Sequence, residues 1–260
     1  MISRFLIELA SRNKLLYWFG WINVGLFALA FIMFQTDDTL ILGINAWIKP
    51  MKFALSIAAY AWTFGWLLQY TSSERAKQLI TVGVIVPMLV EIVLIFLQSY
   101  RGTTSHFNIH TAFDGIVFAI MGIFIGMNTV VNLYAVLVFF SKSITLSGPS
   151  LWAWRSGLIL FFLGSISGGW MVAHLAHTVG APDGGPGLPF VNWSTAAGDI
   201  RAAHFATLHG LQALPLVTYW LVTHSGANAA RWSAAFILAY SILCLLLHAL
   251  AFLGLPVIMQ

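Results

Sequence analysis

The chain is expected to be an all-α, polytopic integral membrane protein of seven transmembrane helices, and three observations lead there. Of its 260 residues, 60% are hydrophobic and only 8% charged, against about 25% charged in an ordinary globular chain. Mean hydropathy is +0.88. Seven segments, roughly 15–34, 51–70, 79–98, 113–139, 156–178, 201–223 and 231–254, reach the about 20 apolar residues that a helix needs to cross a bilayer core. A β-barrel would instead show alternating segments of about ten residues, and none occurs. These proportions exclude a soluble enzyme, a nucleic-acid-binding module and a disordered chain. Cys244 is the only cysteine, so a disulfide scaffold is excluded as well.

The elements follow in order. The first apolar run has the charged lead of a secretory leader, in Arg4, Arg12 and Lys14, and an Ala28-Leu29-Ala30 that resembles a cleavage site. The run continues to Phe34, so it reads as a retained helix behind a short amphipathic N-terminal segment. With the N-terminus inside, the inner segments hold Arg4, Arg12, Lys14, Arg75, Lys77, Lys142, Arg155 and Arg231, and the outer ones Lys49, Lys52, Arg101 and Arg201. Eight cations against four favour an N-in, C-out protein of the cell's inner (plasma) membrane. No linker or composition shift divides the chain, which reads as a single domain over 1–260. The long outer loop 179–200 runs Gly180-Ala181-Pro182-Asp183-Gly184-Gly185-Pro186-Gly187-Leu188-Pro189. That composition excludes a helix and predicts a chain folded back over the helix ends.

Polar residues inside a membrane face the bundle or a cavity, so their angular positions matter. On the sixth segment Arg201, His204, His209 and Gln212 share an arc of about 140°, and Thr207 lies off it, able to bond back to its own helix. On the fourth, His106, His110 and Asp114 stack on one face if the helix begins early enough, with Asn128 and Asn132 deeper. On the fifth, Ser167, Trp170, His174 and His177 fall within about 80°, as do Lys52, Ser56, Tyr60 and Thr63 on the second. Glu91 and Gln98 share a face of the third, with Pro87 just before Glu91. The simplest arrangement turns all five seams onto one cavity. Seven of the eight histidines, all but His224, fall in the outer half under this topology.

Three chemistries fit that inventory. The first is a non-haem metal centre of iron, copper or zinc, with His106, His110, His174, His177, His204 and His209 as ligands. Asp114 and Asp199 would complete a mixed N/O shell or orient the imidazoles. Asp114, Asp199 and Arg201 are then the catalytic candidates of a redox-type enzyme acting on a lipid-phase or periplasmic small molecule. The second is a b-type haem held by two of these histidines, with Arg101 and Arg201 beside the propionates. The third is a proton-linked transporter or binding protein for an anionic or quinone-like ligand, where His beside a carboxylate titrates and Arg binds the anion. Arg101 and Lys52 are the candidate ligand- or cofactor-binding cations. Asp199 also reads as the N-cap of the sixth helix. The expected partners are membrane lipids and that small molecule, not nucleic acid. Gly-x-Ser-x-Gly, His-Glu-x-x-His and His-x-x-His-His are all absent, and the last helix has no lysine for a Schiff base.

Overall fold

The computed structural model describes residues 2–258, and the side chain of Arg4, one of the expected inner cations, lies outside the described residues. Eight α-helices account for nearly all regular structure there. Six are long and apolar enough to cross a membrane: Lys14–Thr36, Ile48–Tyr70 (with its closing 3-10 turn), Glu74–Tyr100, Ala112–Phe139, Gly148–His174 and Gly226–Phe252 (with its opening 3-10 turn). The chain is therefore a helical, multi-pass membrane protein. It divides into two compact units, Met1–Tyr134 and Ala135–Gln260, with the boundary inside one helix, Ala112–Phe139.

Unit 1 opens with α1 (Ile2–Arg12), which buries Leu9 and stacks Phe5 on Trp66. Asn13 then breaks the helix and caps α2 (Lys14–Thr36), its Oδ1 accepting from the Leu16 N–H. A two-residue hairpin, β1 (Leu40–Ile41) with β2 (Ile44–Asn45), leads to α3 (Ile48–Leu67). Its base is tied by Asp37, which accepts from the Thr39 hydroxyl and N–H and the Trp47 indole; these bonds hold its carboxyl below the usual range. The α2–α3 contact is close: a Cβ on Gly20 would lie 2.0 Å from the Trp62 indole nitrogen, which donates to the Tyr17 carbonyl. Helix α4 (Glu74–Tyr100), capped by Ser73, and α5 (Ala112–Phe139) follow.

Unit 2 continues α5 into α6 (Gly148–His174), α7 (Ile200–His224) and α8 (Ala229–Phe252). Glycines on α6 bring it against α7: a Cβ at Gly157 would be 3.1 Å from the Gly210 carbonyl, and one at Gly164 2.9 Å from Leu208. Small residues allow such approach between membrane helices. Helix α7 is long, but with Arg201, His204, His209 and Gln212 on its first half it is not among the six most apolar spans. The 175–199 segment does fold back over helix ends. It forms β3 (Thr178–Val179) paired with β4 (Gly198–Asp199), and a Cβ at Gly198 would meet the Ala251 carbonyl at 2.1 Å.

Two boundaries correct the sequence reading. Helix α6 starts eight residues earlier than 156, at a Ser147-Gly148-Pro149 opening that suits a helix N-terminus. It ends at His174, because Leu175 takes a left-handed conformation, φ 50°. His177 therefore lies outside the helix and shares no helical face with His174.

Candidate functional site

The polar seams of α3, α4 and α5 meet within unit 1. At the end of α4, Gln98 Nε2 donates to Asp114 Oδ1 at 2.9 Å, and Arg101 reaches the same oxygen at 2.5 Å. Arg101 also bonds Gln98 Oε1. Thr111 Oγ1 donates to Asp114 Oδ2 at 2.6 Å. Buried Asp114 thus fastens the end of α4 to the start of α5 through Oδ1, with Oδ2 held locally by Thr111, while Arg101 lies over the Phe113 ring. Deeper, the Tyr60 hydroxyl sits 2.9 Å from Asn128 Oδ1 and 3.1 Å from Asn132 Oδ1. Of the expected α3 seam only Tyr60 is buried: Lys52 and Ser56 are exposed, and Thr63 bonds back to Ala59.

His106 and His110 do not stack on a helix with Asp114, because α5 begins only at Ala112. The 101–111 segment is irregular. Asn108, buried, donates to Thr103 Oγ1 and the Thr104 carbonyl, and Phe107 is left-handed at φ 59°, a strained conformation for a bulky residue. The fold sends the two imidazoles apart. His110 is exposed. His106 turns back along α4, where its Nε2 lies 3.4 Å from Glu91 Oε1. Its Nδ1 lies 3.0 Å from Lys49 Nζ and 3.2 Å from Ser105 Oγ. The rings of Phe53, Phe107 and Phe118 surround it.

This chain of groups has a consistent protonation. An ammonium offers no lone pair, so Nδ1 accepts from Lys49 and the imidazole proton sits on Nε2, facing the carboxylate. Glu91 is 4% exposed, and its second oxygen, Oε2, has no hydrogen-bond partner. It stands nine residues from the end of α4, about 14 Å along the axis. From the sequence, Glu91 lies some 10 Å below a histidine layer and is expected to be protonated, or linked to Lys52 or a proton path. The descending loop instead brings His106 to it, and Lys49 is the cation on that imidazole. Nothing local in the sequence signals a contact between residues 91 and 106 on either side of a break.

In unit 2, Asp199 caps α7 as the sequence indicated, accepting from the Arg201 N–H. Its carboxylate, 1% exposed, also takes the Arg201 guanidinium at 2.6 and 2.9 Å and the Ser194 N–H at 2.7 Å. Arg201 further bonds the Asn192 carbonyl. Asp199 and Arg201 thereby anchor the loop to α7. Asp183 is a second anchor: it accepts from the His177 N–H and Nδ1–H, the latter at 2.6 Å, and from the Thr178 N–H and hydroxyl. Partial burial pushes its carboxyl up, but these bonds and the imidazole charge outweigh that and leave it well below the usual range.

The other imidazoles take separate partners. His174, exposed, stacks on Trp170 at 3.8 Å and bonds the Trp170 carbonyl. His204 crosses to α6, where its Nδ1 donates to the Gly164 carbonyl at 2.8 Å beside Ser167 Oγ. Gly168 leaves room for that ring, since a Cβ there would stand 3.1 Å from His204 Cε1. His209 meets the Phe205 ring at 4.1 Å and so has a different partner from His204. Thr207 bonds back to Ala203. Among the described residues no three of His, Cys, Asp and Glu converge closely enough to hold a metal ion. The expected pairs His106/His110 and His174/His177 fail for the backbone reasons given above. No protein-family model, curated protein or solved structure matches the chain.

Proposed function

We propose that the chain is a proton-linked binding or transport protein for a small anionic or quinone-like molecule, with Lys49, His106 and Glu91 as its titrating centre. The observation that carries this reading is the buried Glu91 carboxylate, with His106 Nε2 3.4 Å from one oxygen and no hydrogen-bond partner on the other. Intramembrane carboxylates mark proton relays and ligand pathways. As Lys49 passes a proton to His106 Nδ1, 3.0 Å away, the imidazole releases its Nε2 proton across 3.4 Å to Glu91 Oε1, so the ring is neutral before and after the relay. The Lys49 ammonium supplies the positive field that an anionic or carbonyl-bearing ligand requires.

The test is binding of a short-chain quinone and of a monocarboxylate to reconstituted protein, followed by tryptophan fluorescence across the range where histidine titrates. Affinity for one of the two probes depends on pH in the wild type, and Glu91→Gln removes that dependence. Equal pH dependence in Glu91→Gln would refute the assignment.

We propose further that α7 is a seventh span. Its 25 residues extend about 37 Å, enough to cross the core. The orientation is then N-in in an inner (plasma) membrane, on the eight-to-four distribution of cations. Single cysteines at Ala181 and Ala227 in a Cys244→Ser background test this. An impermeant reagent labels position 181 and not 227 in intact cells; the reverse pattern inverts the topology.

A second reading, a metal or haem bound by imidazoles of unit 2, draws on one feature. His204 donates Nδ1–H to the Gly164 carbonyl, which leaves its Nε2 lone pair for a ligand. His204 also lies within electrostatic reach of His177, His209 and His248. Elemental analysis and a visible spectrum of purified protein decide it. Stoichiometric metal or a Soret band that disappears in His204→Ala supports it, and neither signal in the wild type removes it.

A further inference from the structure

An open groove of about 480 Å³ runs between α6 and α8 of unit 2, lined by Pro149, Trp152 and Ser156 on one side and Ser233, Ile237 and Ser241 on the other. Its walls are mostly apolar, as an acyl chain requires. One polar group there lacks a partner: Ser233 is 1% exposed and its Oγ makes no hydrogen bond. A buried hydroxyl left unpaired is destabilising, and a ligand oxygen relieves it. Ser241, by contrast, bonds the Ile237 carbonyl.

Two cations are next in sequence to groove residues, Arg155 to Ser156 and Arg231 to Ala230. Lys142, Arg155 and Arg231 belong to this part of the chain, while the acids of unit 2 within the described residues, Asp183 and Asp199, belong to the β3–β4 segment. Arg155 lies over the Phe140 ring at 4.5 Å and 5.2 Å from the ring of the groove residue Trp152, and spends one of its five N–H donors on the Phe139 carbonyl. Arg231 is exposed, two residues before Ser233. The groove also opens at the N-terminal ends of α6 and α8, and neither Ser147 nor Asn228 caps its helix with a side-chain bond. Helix N-termini favour anions.

We infer that this groove binds one anionic phospholipid, its phosphate held by Arg155, Arg231 and the two helix ends, an ester oxygen on Ser233 Oγ, and an acyl chain along the apolar walls. The inference is independent of the unit 1 site. It is tested by native mass spectrometry of the full chain, delipidated in uncharged detergent and offered phosphatidylglycerol or phosphatidylcholine. The wild type retains one phosphatidylglycerol in preference to phosphatidylcholine. The double variant Arg155→Gln, Arg231→Gln weakens that retention by about tenfold or more. Ala234→Leu fills the groove from its exposed rim and abolishes retention with the melting temperature unchanged, so the test does not depend on a core substitution at Ser233. Equal retention of both lipids, or undiminished retention in Ala234→Leu, overturns the proposal. Full competition by glycerol phosphate would make this a free-phosphate site. A dimer that Ala234→Leu dissociates would make it an interface between copies, and either result overturns the lipid assignment.

Discussion

Replacing Asp199 by alanine should unfasten the loop that closes unit 2. The carboxylate accepts four bonds at 2.6 to 2.9 Å, from the Ser194 N–H, the Arg201 N–H and two guanidinium nitrogens. Loss of the N-cap contributes about 1 kcal/mol. Stranding the Ser194 N–H and the guanidinium adds about 2 kcal/mol, a figure kept low because the Arg201 side chain is 26% exposed and partly screened. The sum of about 3 kcal/mol corresponds to a fall in Tm of roughly 6–12 °C for a chain of this size. The eleven tryptophans make intrinsic fluorescence a direct melting probe in detergent. Limited proteolysis provides a second readout, since the Gly184–Pro189 stretch should be cut sooner once Arg201 no longer holds Asn192. Asp199→Asn keeps a capping oxygen and should cost about 1 kcal/mol. A melt of Asp199→Ala within about 2 °C of wild type, with unchanged proteolysis, would refute the anchoring argument.

Three further outcomes follow from other parts of the fold. Gly157→Leu should lower stability by about 1–3 kcal/mol, because the new Cβ stands 3.1 Å from backbone atoms of α7 that cannot turn aside; a thermal melt equal to wild type would show that α6 and α7 are farther apart. Tyr60→Phe leaves Asn128 and Asn132 without the hydroxyl between them and should cost about 1–2 kcal/mol, read by the same melt. Asp183 has a lowered native carboxyl value, so its stabilisation is complete above its ordinary value of 3.8 and is lost as pH falls through the lowered one; loop proteolysis should stay flat from neutral pH down to about 4.5 in wild type, while Asp183→Asn shows faster cleavage throughout.

What could be read from the sequence was what the bilayer and local chemistry dictate. The positions of the long helices follow from apolar run length, and the Asp199 cap, the Thr207 back-bond and the folded-back Gly/Pro loop are all local. The start of α6 was missed because Trp152 and Arg155 resemble interfacial residues, although Ser147-Gly148-Pro149 marks a helix opening. The contacts of His106 were not legible at all. Helical spacing predicted a stack with His110 and Asp114, but the left-handed Phe107 and the Asn108 turn replace the helix with a descending loop. Its partners lie 57 residues away at Lys49 and across the 101–111 break at Glu91, and periodicity does not report contacts of that kind.

The central claim, that Glu91 and His106 exchange a proton inside the bundle, can be measured without knowing the ligand. The chain has only three glutamates, Glu8, Glu74 and Glu91, so carbon-13 labelling of glutamate isolates few carboxyl bands in a pH-difference infrared spectrum. Glu8 and Glu74 form exposed ion pairs with Arg12 and Lys77, so Glu91 is the one glutamate buried among the described residues. The account predicts a third, desolvated glutamate band that changes with pH, disappears in Glu91→Gln and moves in His106→Gln and Lys49→Met. A band absent from the wild type, or present and unmoved in His106→Gln, would contradict it.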